Sequence, residues 1–303
     1  MRRFKKIKNN SIYLFLRGII WFFNLMPRGA AVFLGATLGY FGSLIFRKDR
    51  YKADSNLHLA YGEALPRQER KRIIQQMFIN FGKSAADVIR FRKYYVSELK
   101  PLVNIEGLNH FDAVYNRGKG IIVVTGHIGN FELMAVHMAA LGYKVAAIGR
   151  ELYDKRLNRL LVDNREKMGV VNIDTHDSPR KAIKLLNQGY ALGALMDTDS
   201  IRVRTMFIPA FGRLSNTPVG QSILGLRTGA GFLPMACVRV ANSYKIIIKP
   251  EILVERSDNF EEDVYIVTAK CTRALEEIIT EYKDQWIWLH DRWQTRPPQP
   301  IME

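Results

Sequence analysis

From residue 102 onward, short apolar runs alternate with segments whose apolar positions recur at helical spacing. Strands are expected at 103–106, 121–124, 144–148, 170–173, 191–196, 232–240 and 244–253, the last two as a hairpin turning at Asn242-Ser243. Helices are expected at 108–116, from Phe131 onward, and at 154–168, 179–187, 218–227 and 261–283. Residues 121–124 are β-branched without alternation, the pattern of a strand covered on both faces. Strands alternating with helices imply an α/β fold, a largely parallel sheet flanked by helices.

The pattern before residue 102 is different. Residues 1–11 are basic and polar, and 12–26 are apolar and aromatic apart from Arg17, ending at Pro27. Fifteen residues of helix cover only about 22 Å, short of a hydrocarbon core of about 30 Å. Residues 29–46 carry no charge and are about long enough to cross, with Ala31, Gly35, Gly39 and Ser43 in a small-residue stripe at i+4 spacing. Two readings fit: a membrane anchor or embedded helical hairpin, and a hydrophobic helical cap on a soluble domain. No small-residue cleavage site follows the first run. Residues 51–95 are helical in pattern. The division expected is an N-terminal anchor over 1–50 and a catalytic domain over 51–303.

Composition narrows the partners. A hydrophobic content of 48% in 303 residues suits one large α/β domain and excludes a polytopic membrane protein. Two cysteines, Cys237 and Cys271, make no disulfide framework. The net charge of +16 asks for an anionic partner: anionic lipid, nucleic acid or an acidic protein. Ten Lys/Arg against Asp49 alone lie in the first fifty residues, beside the most apolar part of the chain. That favours a membrane surface, and no nucleic-acid motif supports the other reading.

The candidate chemistry sits where residues 121–124 end. Thr125-Gly126-His127 brings a histidine to the strand terminus, Gly129-Asn130 makes a turn with Asn130 as helix N-cap, and Glu132 falls in the first helical turn. Ligands of open α/β sheets collect at such crevices. A neutral imidazole takes a proton from a hydroxyl near pH 7. A carboxylate on its other nitrogen would hold the tautomer. His127 and Glu132 converge only if His127 lies on the loop before the helix. The plain alternative is a loop histidine near a helix-capping glutamate. Arg150, Asp197 and Asp199 follow other expected strands on the same side, and Arg165 lies on the 154–168 helix.

His127-Ile-Gly-Asn-Phe-Glu132 resembles the His-x4-Asp/Glu motif of glycerolipid acyltransferases. It is most similar to the His-x-Gly-Asn-aromatic-Glu form of the bacterial late acyltransferases of lipid A biosynthesis, whose relatives acylate phosphatidylinositol mannosides. Asn56-Leu57, Asn80-Phe81-Gly82, Phe207-Ile-Pro-Ala-Phe-Gly212 before Thr217, and Trp286-Ile-Trp-Leu-His-Asp-Arg-Trp293 follow in the same order. Ala210 stands where the family has an aromatic residue.

The resemblance implies His127 as general base, oriented by Glu132. It places Asn130, Arg150, Arg165, Asp197 and Asp199 at the substrate, the acids orienting the acceptor or supporting the histidine. It also implies an acyl thioester donor, acyl carrier protein ahead of acyl-coenzyme A, a glycolipid acceptor such as a lipid A precursor, no metal and no cofactor. The place implied is the cytoplasmic face of the cell inner membrane, in contact with anionic lipid. The rivals are another lipid acceptor, a non-catalytic lipid-binding protein of the same fold, and an esterase, for which no Gly-x-Ser-x-Gly elbow exists. His58, His110, His137, His176 and His290 read as ordinary structural positions, with the C-terminal aromatics a packed lid.

Overall fold

In the computed structural model the described residues are 2–151, 154–175 and 179–297. His176 lies outside them. Helices α1 (Arg2–Leu25), α2 (Arg28–Ile45), α3 (Arg47–Tyr61) and α4 (Arg67–Tyr94) come first. Strand β1 (Val103–Glu106), helix α5 (Leu108–Tyr115), β2 (Ile121–Thr125), α6 (Phe131–Ala140), β3 (Val145–Gly149), α7 (Lys155–Lys167), β4 (Val170–Asp174), α8 (Pro179–Asn187) and β5 (Ala191–Leu195) then alternate. The chain continues through β6 (Thr205–Ala210), β7 (Arg213–Pro218), α9 (Gly220–Thr228), β8 (Gly231–Val240), β9 (Ser243–Ile248) and α10 (Phe260–Glu281).

The main sheet has seven strands in the order β1-β9-β8-β2-β5-β3-β4. Neighbours from β8 to β4 run parallel, and the β8–β9 hairpin reverses direction. Every residue of β2 is buried, as its unbroken β-branched run requires. The fold class is the expected one.

Two elements differ from the sequence expectation. Strand β9 ends at Ile248 rather than 253, because Pro250 lacks a ladder donor. Pro218 closes a strand instead of opening a helix. Residues 205–218 form a separate two-stranded antiparallel hairpin. It turns on Phe211 and Gly212, both at positive φ, as a two-residue hairpin turn of the primed type demands. Phe211 is held there by packing against Tyr61, Trp286, Trp288 and Trp293.

The small-residue stripe of α2 faces α4 of the same chain. A Cβ added at Gly35, Gly39 or Gly82 would strike the opposite helix backbone. Arg28, at the head of α2, forks onto buried Asp87 of α4 at 2.9 and 3.0 Å. The rest of α2 exposes Phe33, Leu38, Phe41 and Ile45. Among the described residues, α2 is the one helix long and apolar enough to cross a membrane.

Candidate active site

The turn 126–130 is held from two sides by backbone hydrogen bonds. Gly129 N–H donates to Gln285 O (2.9 Å), and Ile287 N–H donates to His127 O (3.0 Å), pinning it to the C-terminal segment. Asn130 N–H donates to Cys237 O of β8 at 2.7 Å. Gly129 has φ 59° and no room for a Cβ against Cys237, so glycine is required. Asn130 caps α6, accepting from Leu133 N at 3.0 Å, and its Nδ2 donates to Tyr244 Oη at 3.2 Å. Its amide is thus engaged inside the protein, at 3% exposure, and it holds the turn where a substrate contact was expected.

Strand order decides the partner of His127. Strand β5 lies directly beside β2, so the residues after both strands emerge together, with Met196 N–H donating to Thr125 O at 3.3 Å. Asp197 then meets His127 twice: Nδ1 to Oδ1 at 2.8 Å and backbone N–H to Oδ2 at 2.6 Å. Trp286 Nε1–H donates to Oδ2 at 2.7 Å. Gly126 permits this approach, since a Cβ there would lie 2.6 Å from Asp197 Oδ2.

Burial alone would raise the Asp197 carboxyl, which is 2% exposed. The hydrogen bond and charge of His127 and the Trp286 indole overturn that and hold it well below the usual carboxylate range. An ionised Asp197 fixes the proton of His127 on Nδ1 and leaves the Nε2 lone pair free. The His127 side chain is 22% exposed, within reach of a substrate.

Glu132 does not fill the role expected of it. Its carboxylate faces Arg165 of α7, with Nε to Oε2 at 3.0 Å and Nη2 to Oε1 at 2.5 Å, and Arg165 Nη1 donates to Asn172 Oδ1 at 2.8 Å. The pair is mostly buried, so truncating either member strands the other's charge. Glu132→Ala and Arg165→Ala are each expected to lower the melting temperature, with a coupling energy of about 1–3 kcal/mol in a double-mutant cycle. Additive losses would show that the pair does not act as a unit.

Arg150 follows β3, two strand spacings or about 10 Å from β2. It is exposed and pairs with no described residue. Asp199 accepts from Thr295 N–H (2.6 Å), Thr295 Oγ1 (2.9 Å) and Asn216 Nδ2 (2.8 Å), tying the C-terminal segment to β7. A cavity of about 60 Å³ lies between α6 and the sheet, reaching from Phe131, Glu132 and Thr125 to Met138 and Ala191. Among the described residues no cluster of three or more His, Cys, Asp or Glu could hold a metal.

The family described as bacterial lipid A biosynthesis acyltransferase matches residues 2–295. The chain belongs to this family. It is an acyltransferase. It is 23% identical over 284 residues to the lipid A biosynthesis palmitoleoyltransferase of Escherichia coli K12, covering 92% of this chain and 90% of that one. It is 25% identical over 288 residues to the lauroyltransferase of the same organism, with the same coverage. A phosphatidylinositol mannoside acyltransferase of Mycobacterium tuberculosis is 22% identical over 192 residues, 62% of this chain and 59% of that one. Among solved structures, the 1-acyl-sn-glycerophosphate acyltransferase of Thermotoga maritima aligns over 83% of this chain and 99% of its own at 15% identity and a TM-score of 0.36.

Two side chains at the acyltransferase's histidine lie outside the sites expected from sequence. Trp286 binds Asp197, and the His290 ring lies 4.3 Å from that of His127, with Phe131 edge-on at 5.6 Å. Burial first, then the neighbouring His127, pushes His290 below its ordinary value, so it stays neutral at pH 7. Both come from the segment read as a packed lid. Their chain separation from His127 leaves no spacing signal, and the Trp286–Trp293 motif is the sole pointer. His137 is the ordinary core position expected: it bonds Tyr95 Oη at 2.9 Å, and burial, then Lys100, pushes it down to about 4.

Proposed function

We propose that the protein moves a fatty acyl chain from an acyl thioester to a hydroxyl of a lipid A precursor at the cytoplasmic face of the inner membrane. The observation that carries this reading is His127 Nδ1 on the ionised, buried Asp197 at the carboxyl edge of the sheet. His127 Nε2 takes the acceptor hydroxyl proton as that oxygen attacks the thioester carbonyl carbon. The tetrahedral oxyanion collapses, the carbon–sulfur bond breaks, and the departing thiolate takes the proton from His127. Asp197 holds the imidazole and stabilises the imidazolium. Glu132 and Arg165 act as a unit that shapes the floor beside α6, and Asn130 sets the turn.

The names of the Escherichia coli relatives support a lipid A acceptor. The mycobacterial relative supports the second reading, a glycolipid such as a phosphatidylinositol mannoside. The lipid class that loses an acyl chain on gene deletion separates them. Acyl carrier protein is the favoured donor, since an acidic carrier suits a chain of net charge +16.

Membrane attachment rests on α2 and on the basic charge around it. A chain lacking residues 1–46 is expected to leave the membrane pellet for the supernatant. Unchanged sedimentation would contradict that attachment.

A further inference from the structure

A second apolar cavity, larger than the one beneath α6, lies outside the sheet. It is a groove of about 490 Å³ bounded by Phe23 of α1, Leu38 and Gly42 of α2, Phe81 of α4, and Ile287 and Leu289 of the C-terminal segment. That volume is in the range of small-molecule sites, about 300–1,000 Å³. Its inner wall is the segment that also carries the candidate active site: Ile287 N–H donates to His127 O at 3.0 Å, and Leu289 precedes the His290 that lies on His127.

The outer end is lined by Leu38, Phe46 and Phe81, each more than half exposed. An open apolar mouth of this kind is costly in water and suits hydrocarbon. It lies beside the exposed apolar face of α2. Next to it, on the first turn of α3, Arg47, Lys48 and Arg50 form no side-chain hydrogen bond or ion pair with any described residue. Asp49 at the rim is the one acid in that turn.

We propose that this groove holds a hydrocarbon chain of the lipid acceptor, entering sideways from the bilayer, with the lipid's phosphate held at the mouth by Arg47, Lys48 and Arg50. The proposal rests on the acyltransferase reading above and adds where the acceptor lies. The occupant is the acceptor's chain because the mouth opens on the helices that meet the membrane. A donor on a soluble carrier arrives from water, and the cavity beneath Thr125 offers its chain a separate apolar wall. Placed this way, the lipid lies with its phosphate at the first turn of α3 and its chain along Phe81 and Leu289.

Gly42 gives a clean test. A Cβ there meets only Phe46 and Phe78 side chains at ordinary contact distances of 3.6–3.7 Å, unlike Gly35 or Gly39, whose Cβ would force α2 from α4. Gly42→Leu is therefore expected to fill part of the groove without its Cβ pressing on the α4 backbone. The full-length protein is placed in phosphatidylcholine vesicles carrying a minority of phosphatidic acid with a diazirine at its chain end. Irradiation is expected to label the peptides holding Phe46 and Phe81 in the wild type and not in Gly42→Leu. Phosphatidic acid with ordinary chains should compete, and the triple variant of Arg47, Lys48 and Arg50 to Gln should lose most of that labelling.

In kinetics, Gly42→Leu raises KM for the lipid acceptor at least about tenfold, with donor KM as the internal comparison. A rise in donor KM instead would assign the groove to the donor's chain. Labelling that falls elsewhere, or a wild-type dimer that Gly42→Leu dissociates, would likewise overturn the proposal. If the wild type labels in the groove but transfers no acyl chain to any lipid, the functional reading fails and the lipid site stands. If transfer proceeds with acceptor KM unchanged in Gly42→Leu, the reverse holds.

Discussion

Replacing His127 by alanine lowers acyl transfer by at least about 10²-fold, the usual scale for removal of a general base. The loss should appear in kcat with little change in acceptor KM, because the imidazole acts on a proton that moves only in the transition state. The fold should survive. The turn is held by backbone bonds to Gln285, Ile287 and Cys237, none of which uses the imidazole. The variant leaves Asp197 with two of its three donors, the His127 backbone N–H and the Trp286 indole. A melting temperature close to wild type together with collapsed turnover is the expected pair of observations. Near-wild-type turnover would exclude His127 as the base.

Asp197→Asn carries the other large effect, a fall in kcat of up to about 10⁴-fold, as expected where a neutral amide replaces the carboxylate behind a catalytic imidazole. The substitution keeps shape but reverses the hydrogen-bond logic. The asparagine amine can only donate, so facing Nδ1 it drives the ring proton to Nε2 and removes the lone pair that accepts the hydroxyl proton. If the amide oxygen faces Nδ1 instead, the tautomer survives but the negative charge that stabilises the imidazolium is gone. Nitrogen chemical shifts of labelled His127 report the tautomer directly. A predominant Nδ1–H form in wild type, altered in Asp197→Asn alongside the loss of kcat, is expected. Activity within a few-fold of wild type would show that Asp197 does not support the reaction. Asp197 stays ionised far below neutral pH, so an acid limb in the rate profile of the wild type near pH 6 would belong to a group other than this carboxylate.

The strand–turn–helix of β2 and α6 is legible in the sequence because its signals are local: an unbroken β-branched run, two glycines and an N-capping asparagine. The partner of His127 is not local. Glu132 is five residues away and Asp197 seventy, yet the nearer acid points to Arg165 and the farther one binds the imidazole. Strand order makes the difference. Alternating elements predict a parallel sheet but not that β5 inserts between β2 and β3. That insertion brings Asp197 to His127 and leaves Arg150 a strand too far.

The β6–β7 hairpin escaped the pattern because Pro209 and Pro218 read as strand and helix punctuation, and because Phe211 adopts a backbone conformation unusual for a bulky residue. The aromatic cluster that holds it there is assembled from α3 and the C-terminal segment, beyond any sequence window. The same segment supplies Trp286 and His290. The aromatic-rich ending is therefore part of the candidate site's wall as well as a lid.

The central claim is acyl transfer to a lipid through His127. The most direct measurement offers the purified protein labelled acyl-acyl carrier protein and acyl-coenzyme A separately, each with extracted membrane lipid, beside His127→Ala. The account predicts label moving into a lipid product, more from acyl carrier protein than from acyl-coenzyme A, and lost in the variant. The product's mass would identify the acceptor. No label in lipid from either donor with a folded wild-type protein, or equal transfer by His127→Ala, would contradict it.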